Sequence, residues 1–457
     1  MFLRDNFAPV HDEIDAPALQ VVGKIPSDLR GMYVRNGPNP MFKPRGVYHW
    51  FDGDGMLHGV HIQDGKASYK NRYVRTKGLE VERKAGKAVY GGLLDPPELR
   101  DVLRGPLDAF KNAANTALVW HNRRLLALWE AGPPHEIRVP SLETAGVYDF
   151  NGQLRHNFTA HPKIDPATGQ MRFFGYGILG ALVGYGVVEP DGRVSHTATL
   201  RMRFPAMMHD FAVTDNYSLF LELPEVLSIE PGKGMFQYKP ELGARIGAVP
   251  RLGSAEQMQW FDVDPCFVFH TLNAFEDGDK IHLYACRAAE FPRIVNYEGA
   301  TAQARWTPEW AGNPRLCRWT LDLPSGSARL ETLDDLDVEF PRCNDALTGR
   351  PTRYGYAMAF DFSAHVKYDL ASGRRFVHNH GRGRYAGEAL FVPREGARDE
   401  DDGWLLAYVF DEDRGKSELV VLDAKSFDSE PVARVLLPVR VPYGFHGAWI
   451  PEEAMSS

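Results

Sequence analysis

Strand-length apolar runs recur along the whole chain. They fall at 124–131, 171–178, 218–223, 280–287, 354–360, 404–410 and 417–423, separated by turn sequences such as DPATGQ, EPDGR, EDGDK, DLPSGSA and DLASGRR. Apolar runs of this length, bounded by Gly, Pro, Asp and Ser, read as strands joined by hairpins. The best helix candidate is 97–113, PELRDVLRGPLDAFKNA, broken at Gly105-Pro106. No βαβ alternation is present, which excludes a parallel doubly wound sheet. The most polar stretch, EGARDEDDG at 395–403, reads as an exposed loop inside a hairpin, not a linker. Residues 1–457 are therefore expected to form a single domain. A large all-β chain has to remove its sheet edges by closure or radial repetition. Seven four-stranded blades of about 65 residues each would use this length, so a propeller with irregular blades fits. No repeated blade signature such as a WD dipeptide marks it as a simple repeat protein.

Composition narrows the functional classes. Hydrophobic content is 44% and charged content 25%, the balance of a globular chain and not of a disordered one. Net charge is 52 − 60 = −8, which offers no cationic surface for a phosphate backbone and argues against nucleic-acid binding. Cys266, Cys286, Cys317 and Cys343 show no CxxC spacing. A zinc ribbon is excluded, and buried free thiols in a reducing cytosol are expected. The opening MFLRDNFAPVHDE lacks a signal-peptide core, and no apolar run approaches the ~20 residues of a membrane span. The expected location is the cytoplasm, with peripheral membrane contact at most. HExxH, G-x-S-x-G and P-loop motifs are absent, and FDGDG at 51–55 reads as a tight turn.

Three of the sixteen histidines share a context. His161 (TAHPKIDPATGQMRFFGYG), His209 (MMHDFAVTDNYSLFLEL) and His270 (FHTLNAFEDGDKIHLYACR) each precede a turn and then an apolar strand. In a radially repeated sheet, equivalent places lie at similar depth and face the same axis. His446, in YGFHGAWIP, lies where a propeller would close. Four imidazoles drawn from separate blades form a ligand set suited to iron, zinc or copper. His378 and His380, in FVHNHGRGRY, are a rival pair on one strand face. Arg382 and Arg384 beside them would repel a cation, so this segment reads as a polar hairpin.

At these residues the chain resembles the carotenoid cleavage oxygenase family, non-haem iron enzymes that split alkenes with O₂. The likeness runs from GMYVRNGPNP (31–40) and HWFDGDGMLHGV (49–60) through ANTALVWH (114–121) and LLALWEAG (125–132). It continues through the histidine contexts to EFPRCND (339–345) and GEALFVPRE (387–395). The resemblance implies a seven-bladed β-propeller with a few short helices, and loops capping the face over the metal. It implies one Fe(II) per chain held by His161, His209, His270 and His446. It further implies that Glu130, Glu339 and Glu388 stand behind the ligands, each accepting an imidazole N–H and so raising ligand basicity. Thr116 matches a position whose methyl crowds the iron's sixth site, leaving one position for O₂.

Within the family, lignostilbene-cleaving members hold a phenol with a Lys and a Tyr. Trp129 and Leu93 stand at those places here, and an apolar pair suits a polyene better than a phenol. RVPYGFHG (440–447), IPSDLRG (25–31) and MMHDFA (207–212) are similar to plant enzymes that cleave 9,10(9′,10′) double bonds. The expected activity is Fe(II)-dependent cleavage of a carotenoid or apocarotenoid by O₂ to aldehyde or ketone products, with no protein partner implied. Cleavage of stilbenes or other aryl alkenes is the alternative, and a non-catalytic apocarotenoid-binding propeller and isomerase chemistry are remoter ones. Leu99, Val102, Leu103, Leu107 and Phe110 could give segment 97–113 an apolar face toward a membrane.

Overall fold

A computed structural model describes residues 2–46, 48–93, 95, 111–177, 180–227, 236–290 and 313–455. The apolar face at Leu99, Val102, Leu103, Leu107 and Phe110 lies outside the described residues. The chain divides into two compact units. One comprises Met1–Ala160, Gly381–Ala397 and Asp402–Ser457; the other comprises His161–His380 and Arg398–Asp401.

Among the described residues the first unit carries three antiparallel sheets. One runs Asp15–Ala16, Lys66–Tyr73, Gly55–Gln63, Gly31–Pro38 and Gly447–Pro451. A second begins Gln20–Gly23, Ala433–Leu436, Lys416–Asp423 and Gly403–Asp411. The third has four strands between Ala117 and Val147. Chain ends meet in two of these sheets: Val34 pairs Ala448, and Val21 pairs Val435. Lys66–Tyr73 shows why such strands form. Ala67, Tyr69, Asn71 and Tyr73 are buried and alternate with more exposed neighbours, the period of a half-buried strand. Its hairpin turns at Asp64-Gly65, with φ of 51° and 72°, the paired positive values of a type I′ turn.

The second unit carries a four-stranded sheet from Lys163–Ile164 to Val194–Arg201 and another from Ala212–Val213 to Gln259–Val263. A seven-stranded sheet follows, from Phe267–Asp277 to Arg374–Asn379. Its strand Ser327–Arg342 serves two successive four-stranded sheets. Ser327 to Thr332 pair with one neighbour, and Val338 to Arg342 with the next. Counted so, the described residues form seven four- to six-stranded sheets, the number a seven-bladed propeller requires. Facing sheets are glued by apolar side chains. Leu221, Ile246 and Phe261 meet Ile281, Leu283 and Trp319, each a fully buried group worth about 1.5–3 kcal/mol.

Most of the sequence's strand runs are observed with shifts of a residue or two, for example Tyr217–Glu222 and Lys280–Ala288, while the run 124–131 ends early, at Leu128. Polar residues 395–403 do form the loop of a hairpin, between Leu390–Pro393 and Gly403–Asp411. A helix the pattern missed covers Lys77–Ala85, with the Thr76 side chain accepting from the Leu79 N–H and Gly86 closing it in the left-handed region. All four cysteines are free and buried, as expected.

Candidate metal centre

His270 lies inside the edge strand of its sheet, and the other three histidines lie one to three residues before the edge strands of theirs. His161 precedes Lys163–Ile164, His209 precedes Ala212–Val213, and His446 immediately precedes Gly447–Pro451. His270 lies within Phe267–Asp277. An edge strand leaves part of its backbone outside the ladder, so these segments can bend to aim a ring. The register slips between Val268 and Thr271, a bulge at His270 itself.

The four rings converge. Each of His161, His209, His270 and His446 offers a ring nitrogen, and these atoms all lie within 4.8 Å of one another. His161 Nε2 and His209 Nε2 are 2.9 Å apart. Ring centroids are separated by 4.6 Å for His161–His209 and by 5.1 Å for both His161–His270 and His209–His270. His270 and His446 are buried, and His161 is half-buried.

Two of the rings are held from behind by carboxylates. His270 Nδ1 donates to Glu339 Oε2 at 2.6 Å, and His446 Nδ1 donates to Glu388 Oε1 at 2.8 Å. These bonds put the proton on Nδ1 and leave Nε2 with its lone pair. Glu339 is fixed in turn by the N–H of Phe340, 2.7 Å from the same oxygen. Phe340 has φ of 52°, a strained value for an aromatic residue, at a second register slip between Glu339 and Arg342. Glu388 uses its other oxygen to accept the N–H of Gly447, at 2.9 Å.

The segment that ends in His446 is braced by the motif Arg35-Asn36-Gly37. The Asn36 N–H donates to the His446 carbonyl at 3.0 Å, and the Phe445 N–H returns to the Asn36 carbonyl at 3.0 Å. The Asn36 side chain donates to the carbonyls of Ala114 (2.8 Å) and Ala117 (3.3 Å). Gly37 passes so close to Gly444 that a Cβ on it would come within 2.8 Å of the Gly444 Cα. Arg35 is buried and donates to the Pro442 carbonyl. Burial lowers its guanidinium pKa, while Tyr33 and other neighbours, Glu388 among them, oppose this.

Thr116 is buried beside His446. Its carbonyl accepts the His446 N–H at 3.1 Å, and its hydroxyl donates to Asn115 Oδ1 at 3.0 Å. Glu130 and Trp129 follow the strand Arg124–Leu128 and are both half-buried. Leu93 is half-buried, its N–H held by Asp52 at 2.7 Å. Burial pushes the Asp52 carboxyl up to about 6, against hydrogen bonds from the His49 and Leu93 N–H groups. The structure thus brings the four histidines together, with Glu339 behind His270, Glu388 behind His446 and Thr116 against the His446 backbone, and places Glu130, Trp129 and Leu93 on their own segments.

Of the rival pair, His378 lies in the second strand of a hairpin, Arg374–Asn379 paired with Ala364–Asp369, His380 follows that strand, and both rings are buried. His380 Nε2 meets His365 Nδ1 at 3.0 Å. Arg384 is neutralised by Asp411 and Glu418.

Sequence reasoning also missed Asp210. Its Oδ1 meets Lys163 Nζ at 2.8 Å and accepts the Phe211 N–H at 2.8 Å. Its Oδ2 accepts both the N–H and the hydroxyl of Thr271, each at 2.8 Å. Burial would raise this carboxyl, but Lys163, the Thr271 N–H and His270 together hold it below the usual range. The signal was its place, directly after His209 in MMHDFA.

The profile of the family described as retinal pigment epithelial membrane protein matches residues 7–451. Carotenoid 9,10(9′,10′)-cleavage dioxygenase 1 of Arabidopsis thaliana is 40% identical over 492 residues, covering 99% of this chain and 90% of its own. The lignostilbene dioxygenase of Pseudomonas brassicacearum superposes with a TM-score of 0.89 at 32% identity, covering 98% of each chain. The cobalt-substituted apocarotenoid oxygenase of Synechocystis superposes with a TM-score of 0.88 at 33% identity, covering 97% of each chain. No helix among the described residues is long and apolar enough to cross a membrane.

Proposed function

The chain belongs to the carotenoid cleavage oxygenase family, an all-β, seven-bladed propeller fold class, and from that premise we propose that it is an Fe(II)-dependent dioxygenase cleaving a double bond of a carotenoid or apocarotenoid. The observation that carries the reading is the convergence of four imidazole nitrogens within 4.8 Å of one another. The donor set fits a first-row transition ion. Imidazole nitrogens bind such ions at about 2.0–2.1 Å, so nitrogens that shared one would approach each other to roughly 3 Å. The 2.9 Å separation of His161 Nε2 and His209 Nε2 matches that approach.

In this reading His161, His209, His270 and His446 hold the iron. Bound there, the iron supplies the activation of O₂. Glu339 and Glu388 orient the rings of His270 and His446 and supply negative charge that four neutral ligands lack. Glu130 takes the corresponding part for a third ring. Thr116, tied to the His446 backbone, narrows the space beside the ligands. Trp129 and Leu93 offer apolar surface to a polyene, where a phenol would need polar anchors. No residue is assigned as general acid or base, because cleavage of an alkene by O₂ into two carbonyl compounds requires no net proton transfer. Polyenes partition into bilayers, so the protein is read as cytoplasmic, gathering substrate by peripheral contact.

The second reading is cleavage of a stilbene or other aryl alkene, favoured by the TM-score of 0.89 to a lignostilbene dioxygenase. One experiment separates them. Iron-loaded protein is given an apocarotenal and a hydroxylated stilbene in parallel, with absorbance followed and products identified by mass. Bleaching of the apocarotenal with two carbonyl products is expected. Turnover of the stilbene alone would overturn the polyene reading.

A further inference from the structure

Three of the four histidines are joined by a polar network whose members follow them by one or two residues. Lys163 follows His161 by two residues, Asp210 follows His209 directly, and Thr271 follows His270 directly. Asp210 is 2% exposed and contacts the other two. Its four contacts are Lys163 Nζ and the Phe211 N–H on one oxygen, and the Thr271 N–H and hydroxyl on the other. That fills the acceptor capacity of a carboxylate.

The placement matters because the local backbone does not fix these rings by itself. His161 and His209 lie just outside two-residue strands. His270 lies in a bulge, where the register with Lys280–Ala288 slips between Val268 and Thr271. The Thr271 N–H belongs to the same planar peptide group as the His270 carbonyl, so its bond to Asp210 fixes the plane that carries His270. In extended chain, Lys163 shares a face with His161, so holding its ammonium restrains that segment too. Asp210 itself sets the direction of the chain leaving His209.

We propose that Asp210 is a positioning residue, locking the segments of His161, His209 and His270 into one geometry through Lys163 and Thr271. The inference rests on the reading that these histidines bind a metal, and it deepens that reading. Asp210 touches neither substrate nor reacting atoms in this role. An amide cannot replace it. All four contacts are donors, so one end of an asparagine side chain would face the Thr271 N–H or the Lys163 ammonium with its own NH₂.

The test is titration of Co(II) into metal-free full-length chain, with ligand-field absorption read for affinity and geometry. Wild type is expected to saturate at one equivalent. Asp210→Asn is expected to bind about 10- to 100-fold more weakly, with an altered spectrum, the usual cost of removing a group behind the ligands. Thr271→Val keeps its N–H on Asp210 and loses only the hydroxyl bond, so it should weaken binding less, and it carries the test if Asp210→Asn does not fold. Glu222→Gln is the control. Glu222 is a fully buried carboxylate between Arg203 and Arg245, so its loss should lower stability and leave Co(II) affinity unchanged. Failure of wild type to take up Co(II) overturns the metal reading and this inference with it. Wild-type uptake with unchanged affinity and spectrum in Asp210→Asn or Thr271→Val overturns the inference alone. So does an equal affinity loss in Glu222→Gln, which would reduce the effect to general destabilisation.

Discussion

The rings of His365, His378 and His380 stand as close together as those of the four-histidine centre, yet the two clusters are built on opposite plans. His380 lies 4.9 Å by ring centroid from both His365 and His378. In the centre the corresponding separations are 4.6 and 5.1 Å. The difference is in what stands behind each ring. His365 and His378 pair directly across neighbouring strands of one sheet, and His365 shares a hydrogen bond with His380. One nitrogen of His365 and one of His380 are therefore turned toward each other. The centre instead takes one ring from, or just before, the edge strand of each of four sheets. Carboxylates engage Nδ1 of two rings, so their Nε2 atoms can face a common point. Proximity of imidazoles alone therefore does not mark a candidate metal centre; partners on the far side of the ring, which leave its other nitrogen for a common point, distinguish one.

The largest effect that sharpens this contrast comes from deleting a ring of the centre. His270→Ala should leave the protein without stoichiometric iron. Loss of an iron acting as proposed would remove several kcal/mol of transition-state stabilisation, about a thousandfold or more in rate at 1.36 kcal/mol per tenfold. His380→Gln should keep both metal and turnover. Metal analysis of the two purified variants checks this. Normal iron in His270→Ala, or lost iron in His380→Gln, would break the comparison.

Next in size are the carboxylates, and they should not be equal. Glu339 accepts from His270 and from Phe340 N–H with one oxygen. A glutamine can offer its carbonyl oxygen to both, losing only charge. Glu388 accepts from His446 on one oxygen and from Gly447 on the other. A glutamine there must turn its NH₂ against a donor. Loss of a group behind a ligand costs about 10- to 100-fold in metal affinity, and Glu388→Gln should fall at the upper end and Glu339→Gln at the lower. Metal titration of both variants reads the order. A reversal would mean that charge, not hydrogen-bond geometry, dominates what these residues supply.

How far the sequence alone reaches differs between the two clusters for the same reason. His161, His209 and His270 were recognisable because each precedes a turn and an apolar strand in the same way, and that local repetition is visible in one dimension. The strands themselves were legible from alternation and turn chemistry, as at Asp64-Gly65. Asp210 and the Asn36 brace were not singled out, because their roles depend on segments about sixty to four hundred residues away meeting in space. The surroundings of His378 and His380 were hidden for a related reason. Arg384 looked like a repelling charge in sequence, whereas Asp411 and Glu418, distant along the chain, neutralise it. The helix Lys77–Ala85 was readable from Thr76 and Gly86, and was passed over because the apolar pattern of 97–113 is longer.

The smallest effect concerns the second cluster's own purpose. His365 is fully buried, and its hydrogen bond to His380 is satisfied inside the sheet. Replacing it with phenylalanine keeps a flat ring of similar bulk but strands the buried His380 nitrogen. Leaving such a group without its partner costs about 1–3 kcal/mol. His365→Phe should therefore lower unfolding free energy in a denaturant titration by that amount, while iron content and turnover stay at wild-type levels. If its iron content fell along with its stability, the ladder and the centre would be mechanically coupled, and the contrast between a structural and a metal-binding imidazole cluster would have to be abandoned.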